Sequence, residues 1–89
     1  MKLLSIKQIT VLQKEHDIFR TQELINSGEI WKFEGSAGRH AMSCLESGEC
    51  FLPTEVTYDY YGNRLPSRNN LKNGTKGTLG NSQRYWSQF

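Results

Sequence analysis

Stop signals divide this chain so finely that a regular element can run for no more than about a dozen residues. His16-Asp17, Asn26-Ser27-Gly28, Gly35-Ser36, Ser47-Gly48, Pro53, Tyr61-Gly62-Asn63 and Pro66 each interrupt it. Beyond Ser67, Asn and Gly recur every few residues. Gly and Asn admit positive φ and Pro removes a backbone donor, so these residues end helices and strands. What remains possible for 89 residues is one domain of short elements around one modest core. Apolar residues make up only 36% of the chain, so ten aromatics (four Phe, four Tyr, two Trp) must supply much of that core. No apolar run approaches the roughly 20 residues that cross a bilayer. Met1 to Ile6 opens like a signal peptide, but Lys7 and Gln8 cut the apolar stretch and no small-residue cleavage site follows. A cytoplasmic location is therefore expected, with Cys44 and Cys50 as reduced thiols. There are no internal repeats.

The N-terminal half, residues 1–48, reads as mainly helical. Ile6, Ile9 and Leu12, with Val11 alongside, form a stripe at helical spacing, and Lys7, Gln8, Lys14 and Glu15 lie outside it. Ser5 followed by Gln8 is a capping-box pattern, so a helix is expected from Ile6 to about Glu15. A second helix is expected to open at Thr21, with Glu23 in its first turn and Leu24 and Ile25 facing inward. Gly28 suits a left-handed cap at its end. Ile30-Trp31-Lys32-Phe33 fits either a short strand or a helical turn pressed on the core. Ser36 can cap a third helix to about Glu46, whose Ala37, Ala41, Met42 and Leu45 form one face bordered by Cys44.

Residues 49–67 read as a hairpin and residues 68–89 as a loop-rich basic tail. Cys50-Phe51-Leu52 ends at Pro53 and suits an edge strand at best. Val56, Tyr58 and Tyr60 alternate with Thr57 and Asp59, which is strand periodicity. Tyr61-Gly62-Asn63 is then the turn and Arg64-Leu65 the returning strand. Leu71 and Leu79 are the only large apolar residues between Asn69 and Asn81, so irregular structure is expected there, part of it mobile. Tyr85, Trp86 and Phe89 restore bulk at the end and either dock on the core or await a partner.

Charge is polarised along the chain. Residues 60–89 contain Arg64, Arg68, Lys72, Lys76 and Arg84 and no acid, a formal +5. Residues 1–59 contain six Lys/Arg against nine Asp/Glu, a formal −3. A basic, acid-free segment with aromatics suits an anion or an acidic partner. Phosphates need spaced cations and unpaired bases need ring faces, so a nucleic-acid binder is an alternative. The acidic half is an internal alternative, because Glu29, Glu34, Glu46, Glu49 and Glu55 can receive the tail.

Four further constellations carry weaker signals. Asn73 to Thr78 can form an anion nest with Lys76, although the Walker order and spacing are missing and a plain surface loop is the preferred reading. His16, His40, Cys44 and Cys50 are zinc-type ligands without a common zinc spacing. The Cys44/His40 pair is formally a nucleophile and base, but nothing in the sequence orients the His. Three helices before a hairpin also allow a winged helix-turn-helix, with Ser36–Glu46 as recognition helix and Tyr58–Leu65 as wing.

The runs Glu34 to Met42, Leu45 to Pro53, Asp59 to Arg68 and Leu71 to Thr78 together resemble small uncharacterised proteins of gut Bacteroides-type bacteria and their phages or mobile elements. The likeness covers most of residues 24–86. The group has no assigned activity, so it implies no functional residue. It implies a context in which proteins of this size often act as inhibitors or adaptors on host machinery.

The expectation is therefore an α+β fold, two or three short helices on a small antiparallel hairpin with an irregular basic C-terminal segment. The expected function is a non-catalytic binding module without cofactor or metal. It would engage a host protein with an acidic surface, or a nucleic acid, through Tyr60, Arg64, Arg68, Lys72, Lys76, Arg84 and Trp86. The arginines would fork onto carboxylate or phosphate and the aromatics would anchor.

Overall fold

The first helix forms where its capping chemistry places it. In the computed structural model, which describes residues 3–33 and 35–89, α1 spans Ile6–Glu15. The Ser5 hydroxyl accepts from the Gln8 N–H at 3.1 Å, and the Gln8 Oε1 accepts from the Ser5 N–H at 2.8 Å. Its buried residues are Ile9 and Gln13, whereas Ile6 and Val11 of the expected stripe stay exposed. Asp17 ends the helix turn with a left-handed φ of 60°.

α2 spans Phe19–Ser27, starting two residues before Thr21. Ile18 occupies the N-cap without a side-chain bond, so burial of Ile18 rather than a hydroxyl cap sets the start. Glu23 consequently lies beyond the first turn. Gly28, at φ 82°, closes α2 by donating its N–H to the Ile25 carbonyl at 3.1 Å. Glu29–Lys32 then forms a 3-10 turn that buries Ile30 and Trp31, which decides for the helical turn over the strand.

α3 spans Ser36–Ser47 and buries Ala41, Cys44 and Leu45. Its N-cap is Gly35, so Ser36 is the first helical residue and provides no cap. Cys50, Phe51 and Leu52 are buried but pair with no strand. A side chain takes the place of the neighbouring strand. Gln22 Oε1 accepts from the Phe51 N–H at 3.0 Å, and Gln22 Nε2 donates to the Phe51 carbonyl at 2.8 Å. A primary amide offers the same donor and acceptor as a peptide group, so one glutamine satisfies a buried backbone segment.

The hairpin is shorter than its alternation suggests. β1 is Thr57–Tyr58 and β2 is Arg64–Leu65, antiparallel, with Thr57 opposite Leu65 and Tyr58 opposite Arg64. Arg68–Asn70 forms a second 3-10 turn.

The largest departure from the sequence reading is α4, Leu79–Trp86, in the segment expected to be irregular. Gly80, Asn81 and Ser82 are poor helix formers, which hid it. Thr78 caps it, its hydroxyl accepting from the Asn81 N–H at 3.3 Å. Tertiary bonds hold the rest: Ser82 Oγ donates to the Gly48 carbonyl at 2.6 Å, Asn81 Nδ2 to Leu45 at 3.1 Å and Trp86 Nε1 to Glu49 at 3.1 Å. Gly48 makes that docking possible. It sits at φ 101°, and a Cβ there would lie 2.7 Å from the Asn81 carbonyl oxygen and 2.8 Å from Tyr85 Cβ. Ile9, Ile25, Leu45, Phe51, Leu52 and Trp86 thus join one core. The fold is α+β, and the described residues form four α-helices and a two-stranded antiparallel sheet. Among the described residues no helix is long and apolar enough to cross a membrane.

Candidate functional site: the hairpin tip

Asp59 builds the tip. Its carboxylate accepts from the Tyr61 N–H at 2.9 Å, the Asn63 N–H at 2.8 Å and Asn63 Nδ2 at 3.1 Å. Its backbone N–H donates to the Asn63 carbonyl and its carbonyl accepts from Gly62. One short carboxylate organises the reversal, as Asx turns do. These bonds, that of the Asn63 N–H foremost, hold the Asp59 carboxyl below its ordinary value. The Tyr60 N–H donates to the Trp31 carbonyl at 3.3 Å, pinning the tip to the first 3-10 turn.

The tip carries aromatic rings outward. Tyr60 is 74% exposed and Tyr61 85%, and their rings meet edge to face at 5.4 Å between centroids. With Trp31, Lys32, Phe33 and Asp59 they line an open cleft of about 490 Å³. Phe33 and Tyr58 are also exposed. Tyr58 and Arg64 are cross-strand partners, so their side chains share a face of the hairpin. The buried Trp31 Nε1 has no hydrogen-bond partner among the described residues.

The seven residues singled out in the sequence do not form one surface. Tyr60 and Arg64 belong to the hairpin, where Arg64 Nη2 donates to Asn70 Oδ1 at 3.1 Å. Arg68 lies at its foot and acts inside the fold, with Nη1 donating to the Leu52 carbonyl at 2.9 Å and the guanidinium 5.3 Å from the Phe51 ring centroid. Lys72 and Lys76 are exposed in the loop before α4. Arg84 donates to the Gly74 carbonyl at 3.1 Å and to Asn81 Oδ1. Trp86 is only 1% exposed and packs in the core against Tyr85, His16 and Phe89. It is therefore a core residue and not a surface anchor: its bulk pays for burial more in the core than at a surface. Reasoning from sequence missed Lys32, Phe33 and Tyr58 at the tip; the strand alternation placed Tyr58, but no local signal joined Phe33 to a hairpin 25 residues away.

Among the described residues no acid of the N-terminal half forms an ion pair with the basic segment. Among the described residues the sole ion pair is Arg20–Glu23 at 3.8 Å, within α2. Arg64, Arg68 and Arg84 all bond to neutral oxygens, and their charge stays uncompensated by contact. Glu34 lies outside the described residues.

The other constellations resolve individually. In the Asn73–Thr78 loop the N–H groups of Gly74, Thr75, Gly77 and Thr78 are spent on Thr78 Oγ1 and on the carbonyls of Lys72, Leu45 and Thr75, so they do not form an anion nest. His16 packs against Trp86 and Phe89, and no group of three or more metal-ligating side chains occurs among the described residues. His40 Nε2 lies 3.7 Å from Cys44 Sγ, and the helix that carries Arg39 also carries the acid Glu46, which is poor equipment for a recognition helix.

Compared with known families, with characterised proteins and with solved structures, the chain shows no match.

Proposed function

We propose that this protein is a small non-catalytic binding module that engages an acidic surface of a partner protein through the hairpin tip. Tyr60 and Tyr61 are the central contacts, with Phe33 and Tyr58 beside them and Lys32 and Arg64 as the cations. The observation that carries this reading is the pair of outward tyrosines on a turn organised by Asp59 and tethered to Trp31. Tyr and Arg are enriched among the residues that dominate binding energy at interfaces, Tyr because it buries a large rigid area with two side-chain torsions and Arg because its planar fork pairs bidentately with carboxylates. Cations without an internal carboxylate partner are available to an external one. Lys72 and Lys76 extend the positive field without touching the tip. The resemblance to mobile-element proteins supports the narrower reading, an inhibitor or adaptor acting in the cytoplasm on host machinery.

The test is paired capture from bacterial lysate with the wild-type protein and a Tyr60→Ser/Tyr61→Ser variant, each with and without nuclease. A stoichiometric, nuclease-resistant partner retained by the wild type and lost by the variant is expected. Capture that vanishes with nuclease moves the assignment to nucleic acid, for which rings and spaced cations also serve. In that case affinity for a single-stranded oligonucleotide falls steeply with salt. A partner held equally by both proteins removes the hairpin tip from the site.

A further inference from the structure

Two thiols that the binding role does not use lie at the C-terminal end of α3. Gly48 and Cys50 both donate their N–H to the Cys44 carbonyl at 3.1 Å, so the chain folds back and sets Cys50 beside Cys44. Both side chains are free thiols, buried in the same core, with Cys50 wholly so. Each thiol is the largest single influence on the ionisation of the other. One turn earlier on α3, His40 holds its Nε2 3.7 Å from Cys44 Sγ while the rest of its side chain reaches solvent. Sequence spacing could not orient this histidine. The helix does, because residues four apart share a face.

We propose that Cys44 and Cys50 form a reversible intramolecular disulfide, with Cys44 as the peroxide-reactive thiol, Cys50 as the resolving thiol and His40 as the base. His40 Nε2 takes the Cys44 proton, and the thiolate attacks one oxygen of hydrogen peroxide. The O–O bond breaks, the departing hydroxide takes a proton, and Cys44 becomes a sulfenic acid. The Cys50 sulfur then attacks Cys44 Sγ, the S–O bond breaks and water leaves. Two thiols and one peroxide give one disulfide and two waters, so atoms and electrons balance. A thiol reductant such as glutathione reverses the change.

The division of roles follows from the surroundings. The hydrogen bond from Cys50 holds the Cys44 thiol below its ordinary value against the opposing effect of burial, which favours Cys44 as the thiolate. The neighbouring Cys44 and burial both push Cys50 up, which keeps it protonated until its partner is oxidised. Both thiols are almost fully buried, so a small oxidant such as a peroxide suits the site better than a bulky disulfide.

Proteolysis makes the bond directly readable. Glu46 and Glu49 lie between the cysteines, so cleavage after glutamate separates them unless a disulfide joins them. After treatment with hydrogen peroxide, intact-mass spectrometry should show loss of two hydrogens, and the glutamate-specific digest should show the Cys44 and Cys50 peptides linked. Dithiothreitol should restore both. His40→Gln should slow the conversion at neutral pH at least about tenfold, as expected for loss of a general base. Cys50→Ser should stop at the Cys44 sulfenic acid, detectable with dimedone. Because the primary readout is made on the wild-type protein, it does not depend on any variant folding. Unchanged mass at peroxide levels that oxidise free glutathione, or oxidation only to intermolecular dimers, would overturn the proposal. An unaltered rate in folded His40→Gln would remove the histidine from it.

Discussion

Gln22 does the most structural work of any polar side chain here. It is buried, and of its four bonds two satisfy the Phe51 N–H and carbonyl, while the others join it to Gln13 Nε2 and Asn26 Oδ1. Gln22→Met keeps the volume and removes all four, so it should lower unfolding free energy by roughly 3–5 kcal/mol, because the N–H and carbonyl of the buried Phe51 lose their partners. Urea denaturation measures it; a loss under about 1 kcal/mol would mean that water enters the site. Trp86 is the second decisive residue. Because it is a core residue, Trp86→Ala should cost about 3–5 kcal/mol. A variant that loses partner binding while keeping its denaturation midpoint would return Trp86 to the surface role that the basic segment suggested.

Elements here owe their existence to their ends and contacts more than to propensity. Helix α4 depends on its landing place, so Gly48→Ala should be destabilising twice over. It forces a Cβ into the Asn81 carbonyl and adds backbone strain of about 1–3 kcal/mol at positive φ. Its expected signature is a fall in thermal midpoint together with loss of helical circular dichroism from α4. The hairpin turn depends on ionised Asp59. Its carboxyl is held low in the folded state, so the contribution is complete above the ordinary Asp value near about 3.9 and is lost as pH falls through the lower folded value. Amide resonances of Tyr61 and Asn63 should therefore move in strong acid and stay constant from mildly acidic to neutral pH. In Asp59→Asn that acid step should vanish; if it persists, another group controls the turn.

At the scale of the whole molecule, polarity of charge survives folding. Among the described residues the basic side chains of the C-terminal third meet neutral oxygens or solvent and form no ion pair with the acids of the first two thirds. Affinity for an acidic partner should thus drop with ionic strength, and Arg64→Glu should reduce it by at least about tenfold with stability unchanged within about 0.5 kcal/mol, since the site is exposed. Lys76→Glu should act more weakly, through association rate, because it lies outside the tip. Surface plasmon resonance of both variants separates the two; equal effects would argue for a diffuse field in place of a docking site.

Local chemistry determined much of this protein directly. The Ser5/Gln8 box starts α1, Gly28 and Gly48 close α2 and α3, and Tyr61-Gly62-Asn63 turns the hairpin, since caps and turns are satisfied by residues within a few positions of each other. Tertiary structure alone decided α4, the burial of Trp86, the strand-like role of Gln22 and the gathering of Phe33 with Tyr60 and Tyr61. Each of these joins residues distant in sequence, and each sets a weak local preference against the larger free energy of burying a ring or pairing a buried peptide group.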